Sequence, residues 1–172
     1  MERTQHIEVR IRPYEPGDHS RVKWLFERTP PWGRTYPAPQ PLPEELEAPE
    51  LSYPGGCFVA VEDDIGGEAV VGFLAVALVG DDEERPEFLA PRPARGRVHW
   101  CSVVPERWRL GIGRGLMQAG LAHLRALGCE SVILETTATQ EGAIAMYESM
   151  GFVERGRMQN RIWTQVWMEL VE

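Results

Sequence analysis

Apolar and polar positions follow two different spacings along the chain, and each spacing predicts a different kind of element. Residues 7–12 alternate between apolar and polar side chains, as a half-buried strand does, whereas residues 69–79 are almost continuously apolar, as in a strand buried on both faces. The same criteria and the turn residues between these runs predict seven strands in all, at 7–12, 57–62, 69–79, 98–104, 132–135, 152–157 and 162–171.

Apolar residues three or four positions apart predict the helices. Asp18 is placed to cap a helix that carries Val22, Leu25 and Phe26 on one side. A longer helix is predicted over 114–127, with Leu116, Gly120, Leu124 and Leu127 on one side and Gly128 as its stop. Another is predicted over 141–150, ended by Gly151, and a short helix is compatible with 43–47.

Segment 29–56 is rich in proline and glycine, which excludes long regular structure there. A loop of this length inside a compact domain is often functional. The order of elements indicates a mixed α/β fold in which strands come first and two crossover helices come late.

Length and cysteine content limit the class of protein. A chain of 172 residues suits one domain, which we expect to span 1–172. No apolar run is long enough to span a membrane, and the first residues lack the pattern of a signal peptide. Three widely spaced cysteines without a CxxC pair indicate reduced thiols in the cytoplasm and no zinc site.

The net charge of −8 argues against nucleic acid as a partner. Residues 41–94 hold 13 of the 26 acidic residues but only two of the 18 basic ones. This asymmetry is compatible with an anionic cofactor at one end and a cationic substrate near the other. It is equally compatible with an acidic surface that serves solubility.

The glycine-rich stretch 109–115 lies between the fourth strand and the helix that follows it. Pro105 ends the strand, and glycines at 111, 113 and 115 lead into the helix. Such a turn exposes backbone N–H groups beside the positive end of the helix dipole, where a pyrophosphate could bind. A plain strand-to-helix turn is the structural alternative. The spacing does not fit a dinucleotide fingerprint, and a P-loop would need a lysine, whereas the chain's one lysine is Lys23.

The stretch Arg109-Leu-Gly-Ile-Gly-Arg-Gly-Leu resembles the acetyl-CoA signature of the GNAT superfamily of N-acetyltransferases. The later run from Gln140 through Ala143 and Tyr147 to Gly151-Phe152 resembles that family's second signature. The resemblance implies the GNAT fold, with a central, mixed, mostly antiparallel sheet of about seven strands flanked by helices. It also implies acetyl-CoA as co-substrate, no metal, and cofactor-binding residues Ser102, Val103, Arg109, Leu110, Gly111, Ile112, Gly113, Arg114, Gly115 and Gln140.

Two positions depart from the family pattern. Trp108 stands where the family usually has Gln or Arg, and Gln140 stands in place of Asn. Trp108 would either pack over the cofactor or lie on the surface. Gln140 keeps the amide on a longer arm, so we expect altered contacts there and retained binding.

Catalytic roles follow from the chemistry of acyl transfer and from the resemblance together. Tyr147 occupies the family's general-acid position and would protonate the departing thiolate; otherwise it is a core aromatic. Glu135, which we expect at the end of the fifth strand, is a candidate base, and its alternative is a charge paired with an arginine. His99 is a second candidate base, and water alone is a third. Cys101 could in principle carry the acyl group.

The sequence therefore predicts transfer of acetyl from acetyl-CoA to a primary amine, on a small molecule or a protein N-terminus, by direct attack in a ternary complex. The amine is expected to be cationic before it reacts. The alternative is a non-catalytic sensor of the same fold that binds acyl-CoA without turnover. We expect no nucleic acid or membrane partner, and the sequence is compatible with a homodimer.

Overall fold

The computed structural model of the protein describes residues 8–29, 41–80 and 85–171, and these form one seven-stranded sheet. The strands are β1 (Val9–Pro13), β2 (Cys57–Asp64), β3 (Gly67–Leu78), β4 (Arg95–Val103), β5 (Ser131–Thr137), β6 (Val153–Gln159) and β7 (Thr164–Val171). Their order across the sheet is β1-β2-β3-β4-β5-β7-β6. Among the described strands, β4 and β5 pair in parallel and every other neighbouring pair is antiparallel. The mixed, mostly antiparallel sheet expected from the resemblance is thus confirmed.

Within the described ranges, four α-helices lie between these strands. They are α1 (His19–Arg28), the short α2 (Pro49–Ser52), α3 (Ile112–Ala126) and α4 (Glu141–Ser149), with 3-10 turns at Pro16–Asp18, Glu44–Leu46 and Pro105–Arg107. Helix α3 is the crossover that makes β4 and β5 parallel. The expected short helix near 43–47 is therefore present as a 3-10 turn.

The two long helices α1 and α3 cover opposite faces of the sheet. On β3, the ring of Phe73 packs edge-on against Phe26 of α1, at 5.7 Å between centroids. The next residue, Leu74, lies under Gly120 of α3, so closely that a Cβ at Gly120 would come within 2.5 Å of it. Successive strand residues point to opposite faces, so α1 defines one face and α3 the other. The central strands are buried on both, which explains the continuous apolar run of β3.

The helix stops predicted at Gly128 and Gly151 are confirmed, since both residues have positive φ, at 84° and 96°.

Three details of the sequence-based prediction are wrong. The Asp18 side chain does not cap α1; it is buried and accepts hydrogen bonds from Arg12 at 2.8 and 2.9 Å. Leu127 is half exposed and lies beyond the last turn of α3. Glu135 does not end β5, which continues to Thr137.

The predicted loop 29–56 is confirmed in part. Its residues 30–40 lie outside the described ranges, and the rest contains only the 3-10 turn and α2. In the ranges that the structure covers, no helix is long and apolar enough to cross a membrane. Nor do those ranges contain a cluster of His, Cys, Asp or Glu side chains that could hold a metal ion.

Candidate active site

The parallel strands β4 and β5 separate halfway along their length. Their pairing runs from Arg95 with Ser131 to Val98 with Leu134 and stops there, although both strands continue. At the same point β4 contains a bulge, because Val98 and Trp100 pair with consecutive residues of β3 and leave His99 as the extra residue. Residues 99–103 and 135–137 therefore border an opening between the strands.

The backbone of Val103 is directed into this opening. The N–H of Val104 donates to the Val71 carbonyl of β3 at 2.9 Å. Neighbouring residues of an antiparallel strand direct their backbone groups to opposite sides, so those of Val103 point away from β3. The indole Nε1 of Trp108 donates to the Val103 carbonyl at 2.7 Å, which agrees with that direction. The Val103 N–H is thus placed to donate to a group held between the strands.

Next along the chain, the turn before α3 forms a backbone cradle. Arg109 and Gly111 both adopt positive φ, at 61° and 80°. The first α-helical bond runs from the Gly115 N–H to the Gly111 carbonyl at 2.9 Å, so the N–H groups of residues 112–114 precede the ladder and project from the helix end. A Cβ at Gly111 would meet nothing within 4 Å, so the cradle opens outward. Such a turn at a helix N-terminus suits a phosphate group.

Gly113 and Gly115 lie where α3 packs against other elements. A Cβ at Gly113 would lie 3.3 Å from Met146 of α4, and a Cβ at Gly115 would lie 2.6 Å from Ile11 of β1. These two glycines allow α3 to pack closely on α4 and β1.

The arginines around the turn differ in their partners. Arg107 makes two hydrogen bonds to the Glu62 carboxylate, at 2.7 and 2.8 Å, and this contact raises the pKa of Arg107. Arg114 donates to Ser149 Oγ at 2.5 Å. Arg109 has an exposed side chain with no ion-pair partner in the part of the chain that the structure describes. It is the arginine of this turn best placed to meet an anion. Of the two apolar residues of the turn, Leu110 has an exposed side chain and Ile112 a buried one.

Tyr147 and Cys101 meet on the α3 face of the opening. Tyr147 is 7% exposed and its ring packs on Phe152, with 5.9 Å between centroids. Its hydroxyl and the Cys101 thiol lie close enough to affect each other's pKa. Burial raises the pKa of Cys101 to about 12 and raises the pKa of Tyr147 well above 10. Both groups are neutral near pH 7, so the thiol is not an activated nucleophile.

The candidate bases lie on the other face, which α1 covers. The Glu135 carboxylate, one-third exposed, accepts a hydrogen bond from Arg97 at 3.1 Å and faces Gln165 at 3.5 Å. His99 packs on the ring of Tyr53, with 4.8 Å between centroids. Tyr53 in turn accepts a hydrogen bond from the Trp100 indole at 3.0 Å, and burial raises its pKa to about 12. The expected arginine partner of Glu135 is therefore present, and the partial exposure still allows a water to reach the carboxylate.

Two residues expected at the cofactor are held by other side chains. Ser102 Oγ lies 2.7 Å from Thr29 Oγ1 at the end of α1, so this side chain belongs to the face opposite Tyr147. The Gln140 side-chain oxygen accepts a hydrogen bond from Thr136 at 2.5 Å, and its backbone carbonyl accepts from Ala143 and Ile144 at the start of α4. Sequence reasoning missed the roles of Thr136 and of the Trp108 indole. No periodicity or motif marks them, because both act through contacts between separate elements.

A seven-stranded sheet that opens between its parallel strands, beside a helix N-terminus with a backbone cradle, defines a protein of the acyl-CoA-binding transferase class. The model of the Acetyltransferase (GNAT) family matches residues 20–152, and the chain belongs to that family. The resemblance seen in the two signatures is thus confirmed.

Individual acetyltransferases resemble this chain in sequence or in fold. The mycothiol acetyltransferase of Kocuria rhizophila is 32% identical over 150 residues, which cover 84% of this chain and 46% of that protein. The chain spans less than half the length of the mycothiol acetyltransferases that it matches. Among solved structures, Arabidopsis thaliana NAA60 in complex with a bisubstrate analogue superposes with a TM-score of 0.77 at 18% identity, covering 95% of this chain and 98% of that one. A chain of the NatC complex bound to Gag peptide and CoA gives 0.73 at 18% identity, covering 96% and 99%. These structural likenesses establish the fold.

Proposed function

We propose that this protein transfers the acetyl group of acetyl-CoA to a primary amine by direct attack in a ternary complex. The observation that carries the proposal is the opening beyond Val98 and Leu134. A proton donor, Tyr147, lies on its α3 face, and two candidate proton acceptors, Glu135 and His99, lie on its α1 face. Two substrates can therefore enter from opposite faces and meet between the strands.

The residues along the α3 face fit acetyl-CoA. The backbone N–H groups of 112–114 and the Arg109 side chain would hold its pyrophosphate, and the inner edge of β4 at Val103 would bind the pantetheine arm. The Gln140 amide would lie beside that arm at the start of α4. When bound, acetyl-CoA supplies a thioester carbonyl that the amine attacks, and the Val103 N–H is placed to stabilise charge on its oxygen.

Tyr147 supplies the proton that the departing sulfur needs. Its raised pKa means that the phenol keeps its proton at physiological pH, and burial keeps water from competing for it. Cys101 stays protonated beside it and so adds no charge to the opening. This supports direct transfer to the amine over an acyl-cysteine intermediate.

On the α1 face, the amine must lose a proton before it attacks. Glu135, reached directly or through water, is our first candidate for the acceptor of that proton, and His99 is the second. Each residue also has a structural contact, to Arg97 and to Tyr53 respectively. Water alone is the third route, and the mutations described in the Discussion separate the three.

The acceptor is proposed to be cationic. Several acidic residues of 41–94 are already paired with arginines, so the attraction on a cationic acceptor is weaker than the charge count suggests. Glu62, Asp63 and Glu68 are paired with arginines 107, 10 and 12. Burial is the main cause that raises the pKa of Tyr53, and the negative charge of Glu45 raises it further, so this carboxylate acts on the ring against which His99 packs. The names of the similar proteins point to two acceptor classes, a small molecule for the mycothiol acetyltransferases and a peptide for the NatC chain. Both remain candidates here.

A screen with acetyl-CoA and a panel of amines tests the proposal. The panel should hold free amino acids, amino sugars, polyamines and short peptides, with products measured by mass spectrometry. Acetylated product that forms with wild-type protein and disappears with Tyr147→Phe supports it. Tight acetyl-CoA binding by calorimetry without product from any amine would favour the sensor function.

Three further expectations belong to the same proposal. A single sheet that includes both Val9 and Val171 supports one domain over 1–172. The three free cysteines are compatible with a reducing cytoplasm. A net charge of −8 favours a small-molecule or protein substrate over nucleic acid. Whether the protein forms a homodimer can be measured by light scattering.

A further inference from the structure

An ion pair crosses the border between the paired part of β4 and β5 and the opening beyond it. Arg97 lies on the paired side, where its partners are Ala77 of β3 and Ile133 of β5. Glu135 is the first residue of β5 past the parallel pairing. Arg97 Nη2 donates to Glu135 Oε1 at 3.1 Å, so a side chain from the fully paired part of the sheet holds a carboxylate at the edge of the opening.

The Arg97 guanidinium is itself held in place. Its central carbon lies 5.2 Å from the ring centroid of Trp167 on β7. Trp167 is 5% exposed and packs in an apolar cluster with Leu89 and Ile133. The Arg97 side chain is half as exposed as that of Glu135, at 17% and 33%. A planar cation stacked on a buried indole keeps its orientation, because turning it away would lose the attraction to the ring.

The two carboxylate oxygens of Glu135 have different surroundings. Oε1 accepts the hydrogen bond from Arg97. In the described part of the chain, the contact of Oε2 is with Gln165 Nε2 at 3.5 Å, which is long for a hydrogen bond. The Arg97 bond therefore fixes the rotation of the carboxylate and leaves Oε2 to the amine, or to a water that relays its proton.

We propose that Arg97 is a positioning residue, which holds the Glu135 carboxylate so that Oε2 can take the proton of the acceptor amine. This rests on the proposed acetyltransferase function with Glu135 as its base. The ammonium loses one proton to Oε2, the neutral amine attacks the thioester, and Glu135 returns the proton to solvent after the product leaves. Arg97 keeps its own protons throughout, since a guanidinium does not deprotonate in proteins.

A double-mutant cycle separates positioning from packing. Arg97→Met removes the charge and every donor but keeps an unbranched side chain over Trp167. We expect kcat/KM for the amine to fall about 10-fold, the value of one hydrogen bond to a charged group, with KM for acetyl-CoA nearly unchanged. In the Glu135→Gln background the same change should alter kcat/KM by less than about 2-fold, because no carboxylate remains to be held. Arg97→Lys keeps the charge and should be faster than Arg97→Met.

Arg155→Met is the matched control. Arg155 donates to the Glu169 carboxylate at 2.9 Å, and Glu169 lies two residues beyond Trp167 on the same face of β7. This variant should keep the wild-type kcat/KM. If Arg97→Met lowers kcat/KM equally with and without the Glu135 carboxylate, Arg97 only packs on Trp167 and the proposal is wrong. An unchanged kcat/KM in Arg97→Met, with Glu135→Gln impaired, overturns it as well.

The pH dependence gives a readout that a loss of packing would not change. The ratio of wild-type to Arg97→Met kcat/KM should be largest near pH 7 and shrink toward pH 10, because an alkyl amine with a pKa of about 10.4 increasingly deprotonates by itself. His99, the Tyr53 ring packed on it and the Glu45 charge that acts on Tyr53 also belong to this face. All three are kept in the variant, and Tyr53, with a pKa raised to about 12, stays protonated over this range. A ratio that is constant from pH 7 to pH 10 would overturn the positioning role.

The ion pair can also be measured without any turnover. In urea unfolding, Arg97→Met should raise the unfolding equilibrium constant about 2- to 5-fold more in the wild-type background than in the Glu135→Gln background. Equal effects in the two backgrounds would show that the contact has no energetic value and would contradict the proposal. If Arg97→Met does not fold, Arg97→Gln takes its place in every cycle.

Two outcomes separate a failure of this proposal from a failure of the proposed function. An active enzyme in which Glu135→Gln keeps the wild-type kcat/KM leaves the acetyltransferase function standing and overturns the role of Arg97. A chain that shows the coupling in urea but acetylates no amine contradicts the proposed function, and the role of Arg97 with it, and leaves only the ion pair established.

Discussion

Val98 of β4 and Leu134 of β5 are the last paired residues of the two parallel strands, and the opening begins directly after them. Both side chains are buried on the α3 face, in the same core as Leu124 of α3. Toward the N-terminal ends of the two strands, β4 and β5 are paired. Beyond this last pair β4 contains the bulge at His99, and the two strands no longer pair with each other. The site therefore lies where the pairing of β4 and β5 ends, and the core packing of the paired ends of both strands supports it.

Tyr147→Phe should depress turnover and spare binding. Loss of a general acid typically costs ~10²- to 10⁴-fold in rate, whereas the ring that packs on Phe152 is kept. We expect kcat to fall within that range with acetyl-CoA affinity nearly unchanged, as measured by steady-state kinetics and calorimetry. Tyr14→Phe is the control, since Tyr14 is another phenol whose pKa burial raises to about 12, but it follows β1 and packs on Phe73 of β3. A wild-type rate in Tyr147→Phe, where chemistry limits turnover, would leave the phenol a packing residue.

Gly111→Val should weaken acetyl-CoA binding by at least about 10-fold. The residue has a φ of 80°, where side chains other than glycine are strained by roughly 1–2 kcal/mol or more, so the turn would change shape. Gly128→Val is the matched control, with a φ of 84° and the same open surroundings at the far end of α3. It should lose comparable stability in urea and keep its affinity in calorimetry. Equal losses of affinity in the two variants would place the cofactor elsewhere.

Glu135→Gln should produce a pH-dependent defect if Glu135 accepts the amine proton. An alkyl amine has a pKa of about 10.4, so it deprotonates by itself as pH rises. The ratio of wild-type to variant kcat/KM should therefore be largest near pH 7 and shrink toward pH 10. Glu154→Gln, which removes an exposed carboxylate paired with Arg157, is the control. If His99→Asn shows this pattern and Glu135→Gln does not, the histidine is the base; if neither does, water is.

Asp18 should contribute to resistance against acid. Burial by itself raises the pKa of Asp18, but hydrogen bonds from Arg12 and from the Glu15 N–H outweigh it, and the pKa lies below its ordinary value of 3.8. Near pH 3.8 the unfolded chain therefore binds more protons at this position, so the stabilisation is present above that pH and is lost as pH falls through the folded-state pKa.

Measured between about pH 5 and pH 2.5, the free energy of unfolding of wild type should fall more steeply than that of Asp18→Asn. Asp63→Asn is the comparison, because Asp63 pairs with Arg10 at an exposed position. It should leave the slope close to that of wild type. Parallel curves for wild type and Asp18→Asn would show that the ion pair with Arg12 does not contribute to acid stability.

The sequence by itself predicted elements and signatures well, because these depend on neighbours along the chain. Burial on two faces explains the continuous apolar run of β3. A positive φ explains the stops at Gly128 and Gly151 and the glycine turn before α3. Errors at this level were small and came from competition with tertiary contacts. Asp18 is an example, since a partly buried ion pair with Arg12 takes the carboxylate that local rules assign to a helix cap.

Tertiary structure alone decided which residues share a site and on which face they lie. Whether Gly113 faces a ligand or Met146 depends on how α3 packs on α4, and whether Ser102 faces the cofactor or Thr29 depends on the strand bulge at His99. One extra residue in a strand reverses the faces of those that follow, and no residue type marks that register. The meeting of Cys101 and Tyr147 depends on both the bulge and the helix packing. The sequence could therefore single out the phenol, but only the fold could show that it lies beside a cysteine of β4.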